Sequence, residues 1–252
     1  MGTAVEPKCG ACKCGKCPSI GHTYSFKEEQ ELDLIKQGMF YDESKNSWTV
    51  EYPWIVNPED LPNNYVASRA RLVSLENSLK KDKTWADAYC KQIQDMIDRK
   101  VAKRLSKEEL DEWQGPSFYI SHLAVVSPKS ASTPVCIVFN SSQVHKGMSL
   151  NDCLAKRPDT YANTVIGLLL RWRKDNIAMV GDIKKMFHSI HLSCKDAHCH
   201  RFLWRNLETQ REPPDTYIIQ RVNMGDRPAT AIAVEVLKST AKLSEETYPE
   251  AS

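Results

Sequence analysis

The chain has 252 residues, 41% of them hydrophobic and 26% charged, with a formal net charge of +2. This is ordinary globular composition, enough for one large domain or two small ones, and it excludes a fibrous or fully disordered chain. The near-neutral total excludes a global field that would by itself demand nucleic acid, and no apolar run approaches the roughly 18 residues of a membrane span. Nine cysteines occur in a long chain whose start is polar, without a secretory signal, so reduced thiols in an intracellular protein are expected.

Residues 1–22 read as a Cys-rich tail. Cys9, Cys12, Cys14 and Cys17 offer the four thiolates that a tetrahedral Zn²⁺ site takes. The single residue between the middle pair makes such a site tight, so a metal-free, disordered tail is the competing expectation. Ser25 and Glu28 have the spacing of a capping box, a helix is expected to Gln37, and Gly38 should close it in a left-handed conformation. Alternating aromatics over 46–55 suit a short strand broken by Pro53, and 57–64 reads as a linker.

Residues 66–81 and 84–105 read as helices. In the second, Trp85, Tyr89, Ile93, Met96, Ile97 and Val101 recur at helical spacing and are assigned to the core. Ser106 and Glu109 form another capping box, opening a short helix that ends at Gly115-Pro116. Strands are expected at 118–126 and 134–140, with a polar turn at 127–133, and a turn at 149–152. A helix over 163–174 then precedes a buried strand at 176–181. Strands at 200–205 and 216–222 flank a turn at Pro213-Pro214, and an Ala-rich helix spans 228–242. This order predicts an α+β or mixed α/β fold with a largely antiparallel sheet.

The chain is organised around 178–191, where the apolar run ends on Asp182 and Phe187 follows five residues later. A strand that delivers an Asp at its end suits a hard divalent cation, which takes oxygen ligands on a rigid element; a turn or cap residue is the plain alternative. From Ile166 to Arg211, nine Lys/Arg face four Asp/Glu, a local excess of five positive charges that reads as a phosphate-binding segment or a solvated basic face. His188, His191, Cys194, His198, Cys199 and His200 form a second set of zinc-type donors. On a strand at 189–193, however, His191 points away from Ile190 and Leu192, so the donors do not all converge.

Taken in order, several motifs resemble the reverse transcriptase of BEL/Pao-type LTR retrotransposons. They are Gly115-Pro116…His122, Ser132-Thr-Pro-Val-Cys136-Ile-Val-Phe-Asn140, Ser149-Leu-Asn-Asp152 and Leu168-Leu-Leu-Arg171-Trp-Arg173. Gly181-Asp182-Ile-Lys-Lys-Met-Phe187, His200-Arg-Phe-Leu-Trp204-Arg205 and Met224-Gly225-Asp226-Arg227-Pro228 complete the set. The Cys cluster and Tyr52-Pro-Trp54 look like the spacer that precedes the polymerase in that pol polyprotein.

The resemblance implies a partial right-hand polymerase with a helical N-terminal extension: tail 1–22, spacer 23–62, and fingers with truncated palm at 63–252. It implies RNA-directed DNA synthesis with Mg²⁺ or Mn²⁺, Asp182 as catalytic metal ligand and the Ile183 carbonyl beside it. Phe187 would be the sugar gate, and Gly225 and Asp226 would lie under the nascent base pair. Partners would be an RNA/DNA template-primer, dNTP and the rest of the polyprotein, in a cytoplasmic virus-like particle, with a nuclear place left open. Cys136 stands where the family usually has Arg, and Ser127 where a basic residue is usual, with Lys129 as its nearest substitute. The family's Tyr-x-Asp-Asp hairpin does not occur in the 252 residues, so this stretch alone is expected to be inactive. A domesticated nucleic-acid-binding module without catalysis is the alternative.

Overall fold

A computed structural model describes residues 26–127, 135–155, 169–170, 172–173, 177, 181–207 and 212–247. The Cys9–Cys17 cluster, Lys129, Arg171 and most of the expected helix 163–174 lie outside the described residues. Helix α1 (Phe26–Gln37) runs into strand β1 (Met39–Asp42), which pairs antiparallel with β2 (Ser47–Val50). Gly38 joins them without the expected left-handed turn; Gly147 is the one glycine with positive φ among the described residues. Glycine is needed at 38 for space, because a Cβ there would lie 2.6 Å from the Glu51 carbonyl oxygen.

Helices α2 (Tyr65–Leu79) and α3 (Lys83–Asp98) follow, the second capped by the Asp82 side chain, which accepts from Trp85 N. Tyr89, Ile93 and Met96 are buried along one face of α3, as their spacing requires. The helix ends sooner than the apolar period suggested. Val101 N donates to Met96 O and Lys100 N to Ile97 O, with Lys100 at φ 56°, which is a Schellman closure built on Lys instead of Gly. The expected helix at 99–105 is therefore a turn plus strand β3 (Ala102–Arg104), and Val101 joins the core through that turn.

Short helix α4 (Lys107–Glu112) carries both hydrogen bonds of the Ser106/Glu109 capping box. Strands β4 (Ser121–Val126) and β5 (Val135–Asn140) form the expected antiparallel hairpin. After a capped 3₁₀ turn at Leu150–Cys153 and a second at Met186–Ser189 come β6 (His191–Leu192), α5 (Cys194–His198), β7 (Arg201–Trp204), β8 (Asp215–Ile219) and α6 (Ala229–Leu243). The sheets are ordered β1-β2-β6, β3-β8-β7 and β4-β5, with β2 and β6 parallel. Among the described residues 43% are helical and 21% are in strands, so the fold is mixed α+β.

The parallel pairing draws the expected spacer into the body. Leu192 N donates to Gln220 O and Val222 N to Ile190 O, so β6 lies between β2 and the 220–222 segment. Of the expected buried strand at 176–181 only Ile177 and Gly181 are described, and they do not fit it: Ile177 is 82% exposed, Gly181 is exposed, and neither is in a strand. Among the described residues no helix is long and apolar enough to cross a membrane.

The Lys100 closure is testable. Lys100 is exposed and held in a conformation that favours glycine, so Lys100→Gly should stabilise the chain by about 0.5–1 kcal/mol in urea denaturation. A loss of stability would show that the Lys side chain contributes more than its backbone costs.

Candidate functional site

The segment after β8 returns beneath the end of β5 and carries Asn223, Met224, Gly225 and Asp226. A Cβ on Gly225 would lie 2.6 Å from the Phe139 carbonyl oxygen, so a side chain there would lift the loop from β5. Asn151, from the capped turn at 149–152, ties the loop down: its Nδ2 donates to Gly225 O (3.0 Å), and its Oδ1 accepts from Arg227 N (2.8 Å). Two of the resembling motifs are thus in direct contact.

Asp226 lies inward, its side chain fully buried. Tyr52 OH and His200 Nε2 donate to Oδ2, the latter at 2.9 Å, while Ser141 Oγ and Asn223 Nδ2 donate to Oδ1. These four donors take up the acceptor capacity of the carboxylate. His200 Nδ1 in turn donates to the Asp196 carbonyl at 2.7 Å, so both ring nitrogens face acceptors, an arrangement that favours the imidazolium. Burial opposes that charge, yet the facing carboxylate raises the His200 pKa above its ordinary value. Burial likewise opposes ionised Asp226, yet His200 and the donated hydrogen bonds hold its pKa below the usual range. Asp226 therefore holds its loop in place and presents no open face to a ligand.

Asp196 makes a second anchor. Its carboxylate accepts from Tyr52 N (2.8 Å), Trp54 Nε1 (2.7 Å) and Ser193 Oγ (2.7 Å). Tyr52-Pro-Trp54, read as spacer, is thereby held to the body by two buried aspartates.

A cleft of about 520 Å³ opens between α3, β5, the turn at 185–188 and the 224–225 loop. Its lining includes Asp95, Arg99, Cys136, Lys185, His188 and Gly225. Asp95 Oδ2 bridges two cations, Arg99 Nε at 2.9 Å and Lys185 Nζ at 3.0 Å. Burial works against its charge, but the hydrogen bonds from Lys185 and Arg99 outweigh that and lower its pKa. His188 Nδ1 faces Arg99 at 3.3 Å, and burial, then the charges of Arg99 and Lys185, push it down to about 4; it is a neutral acceptor at pH 7. Sequence reading missed Asp95 and Arg99, because an i,i+4 ion pair on the polar face of a helix looks like any solvated pair.

Asp182 precedes this turn and is exposed, and Ile183 is 50% exposed. The Ile183 carbonyl accepts from Met186 N at 3.3 Å, which leaves it a second lone pair. Lys185 adopts φ 56°, turning the chain into the 3₁₀ segment that carries Phe187, half-buried against the core. An exposed carboxylate and a neighbouring carbonyl suit part of the shell of Mg²⁺, which keeps water and substrate phosphates for the rest.

The histidine and cysteine set is dispersed. His191 Nδ1 faces Arg221, His198 faces Arg201, and His200 is committed to Asp226. Among the described residues no group of three or more His, Cys, Asp or Glu is placed to hold a metal ion. The basic segment is partly neutralised from outside itself: Arg205 meets Glu76 with two bonds of 2.7 and 2.9 Å, and Lys185 meets Asp95. Among the described residues, two cations of this segment are therefore matched by acids outside it. The chain matches no protein-family model and no curated protein.

The Asp226–His200 pair sets a pH dependence. Removing one partner of a buried pair costs about 3–5 kcal/mol, so Asp226→Asn should destabilise by that order near pH 6. The raised His200 pKa contributes stability below its unfolded value, about 6.5, that is lost as pH rises through the folded value. The lowered Asp226 pKa contributes stability above about 3.8 that is lost in stronger acid. The gap between wild type and variant in urea melts should be widest between these values and narrow toward alkaline pH. A gap that widens there would refute the ion pair.

Proposed function

We propose that the chain carries the fingers and partial palm of an RNA-directed DNA polymerase of the BEL/Pao type, with the cleft as its nucleotide site. The observation that supports this reading is convergence. Cys136, Lys185 and Gly225 come from three motifs far apart in sequence, each matching a family segment that surrounds the incoming nucleotide, and all three line one cleft.

In this reading the triphosphate takes Lys185 and Arg99 from Asp95. Those ion pairs are partly exposed and worth about 0–1 kcal/mol each, so the exchange is inexpensive. The backbone at Gly225 lets the base approach closely. Asp182 and the Ile183 carbonyl would hold Mg²⁺ or Mn²⁺, which when bound neutralises phosphate charge. Phe187 would exclude a ribose 2′-hydroxyl by bulk. Asp226 serves this site through its loop and not by contact. A binding module without catalysis is the second reading, because Lys185 and Arg99, once released by Asp95, would take a nucleic-acid backbone phosphate as readily as a triphosphate.

Calorimetric titration of the full chain with dNTP and Mg²⁺ tests the proposal. Lys185→Ala and Asp182→Asn should each weaken Mg²⁺-dependent dNTP binding by about tenfold. Salt-dependent binding of primed template with no Mg²⁺-dependent dNTP binding would favour the module instead. Failure to bind either ligand would overturn both readings.

A further inference from the structure

A second cavity, about 860 Å³, opens between the start of α2, α4, Tyr119 and the start of β8, and it shares no lining residue with the cleft. Most of its charges are matched. Arg104 meets Asp215 at 2.7 Å, and Glu109 is held by Lys103 and by the Ser106 cap; Lys107 and Asp111 are exposed. Arg201 is the exception. The residue is only 6% exposed, yet among the described residues its guanidinium forms no ion pair. Nε and one terminal nitrogen both donate to His198 Nδ1, at 3.3 and 2.7 Å, and Cζ lies 5.8 Å from the centre of the Tyr119 ring. The other terminal nitrogen has no hydrogen-bond partner among the described residues.

His198 cannot supply the missing charge. It stacks on Trp113, ring centres 3.6 Å apart and 4° from parallel, and burial together with Arg201 pushes its pKa down to about 4. At neutral pH it is an uncharged acceptor. A buried cation without a counter-charge is costly, and here it lines an open groove. An anion from solution would complete it. The groove also presents Tyr65 and Tyr119, half-buried and edge-to-face at 5.3 Å, beside Pro213 and Pro214. Guanidinium with aromatic walls suits a phosphate attached to a planar ring.

We propose that this groove binds the phosphate of an unpaired nucleotide on Arg201, with the base against Tyr65 and Tyr119. The volume admits a nucleotide, and one guanidinium matches one phosphate. The site stands or falls apart from the polymerase reading, because the cleft uses other residues.

Intrinsic fluorescence of the full chain, with Trp113→Phe identifying the reporter, follows titration by inorganic phosphate, adenosine 5′-monophosphate, a single-stranded RNA of about ten nucleotides and a phosphotyrosine peptide. Arg201→Gln should weaken the phosphate ligands by about tenfold or more. Tyr65→Ala, at a partly exposed position, should weaken the mononucleotide and RNA about tenfold while leaving inorganic phosphate unchanged. If Arg201→Gln fails to fold, the Tyr65→Ala arm still decides. Unchanged mononucleotide binding in that variant overturns the proposal, as does nucleotide binding abolished by Lys185→Ala alone, which would place the ligand in the cleft. Tighter binding of the phosphotyrosine peptide than of the RNA would overturn the nucleotide assignment.

Discussion

The structure depends on one carboxylate. Asp226 accepts from Tyr52, Ser141, His200 and Asn223, and those donors come from the end of the β2 segment, the end of β5, the start of β7 and the loop after β8. No pair of these segments is adjacent in sequence except the last residue's own loop. A buried charge without partners would be strongly destabilising, so satisfying this one requires all four segments to arrive together. Gly225 stands on Phe139 beside it, and Asn151 closes the loop from the other side. The wall of the cleft is thus set by a carboxylate that does not line it, and of its four donors only Asn223 does.

The same accounting separates three cations of the 166–211 segment and Arg99 of α3 beside them. Arg205 is matched by a nearly buried Glu76, a pair whose desolvation cost is offset by a forked geometry. Lys185 and Arg99 share the partly exposed Asp95, so their charge can be redirected to another anion at little cost. Arg201 is buried against a neutral imidazole and an aromatic ring. Three arginines and a lysine, equivalent in a charge count, are a structural tie, two exchangeable ligands and an incomplete site.

Local elements were legible where short-range chemistry decides them. The Ser106/Glu109 box, the hairpin over 121–140, the apolar face of α3 and the final helix follow from spacing alone, because their partners lie within one turn or across one strand pair. The boundary of α3 was misread because Val101 keeps the helical period while Lys100 takes a conformation usually left to glycine. Gly38 was assigned a φ it does not need; its reason is the Glu51 carbonyl on another segment.

By itself the sequence determined an α+β chain and singled out Asp182 at the end of an apolar run, with the ordered motifs on which the proposed reading rests. It also marked Met224-Gly225-Asp226 as a unit. Only the tertiary structure decided that Gly225 faces the cleft while its neighbour Asp226 faces the core, and that Tyr52-Pro-Trp54 belongs to the body. The physical reason is range. Capping and periodicity act over a few residues, whereas the state of a buried charge depends on donors that only long-range packing brings within 3 Å, and those separations leave no mark on local pattern.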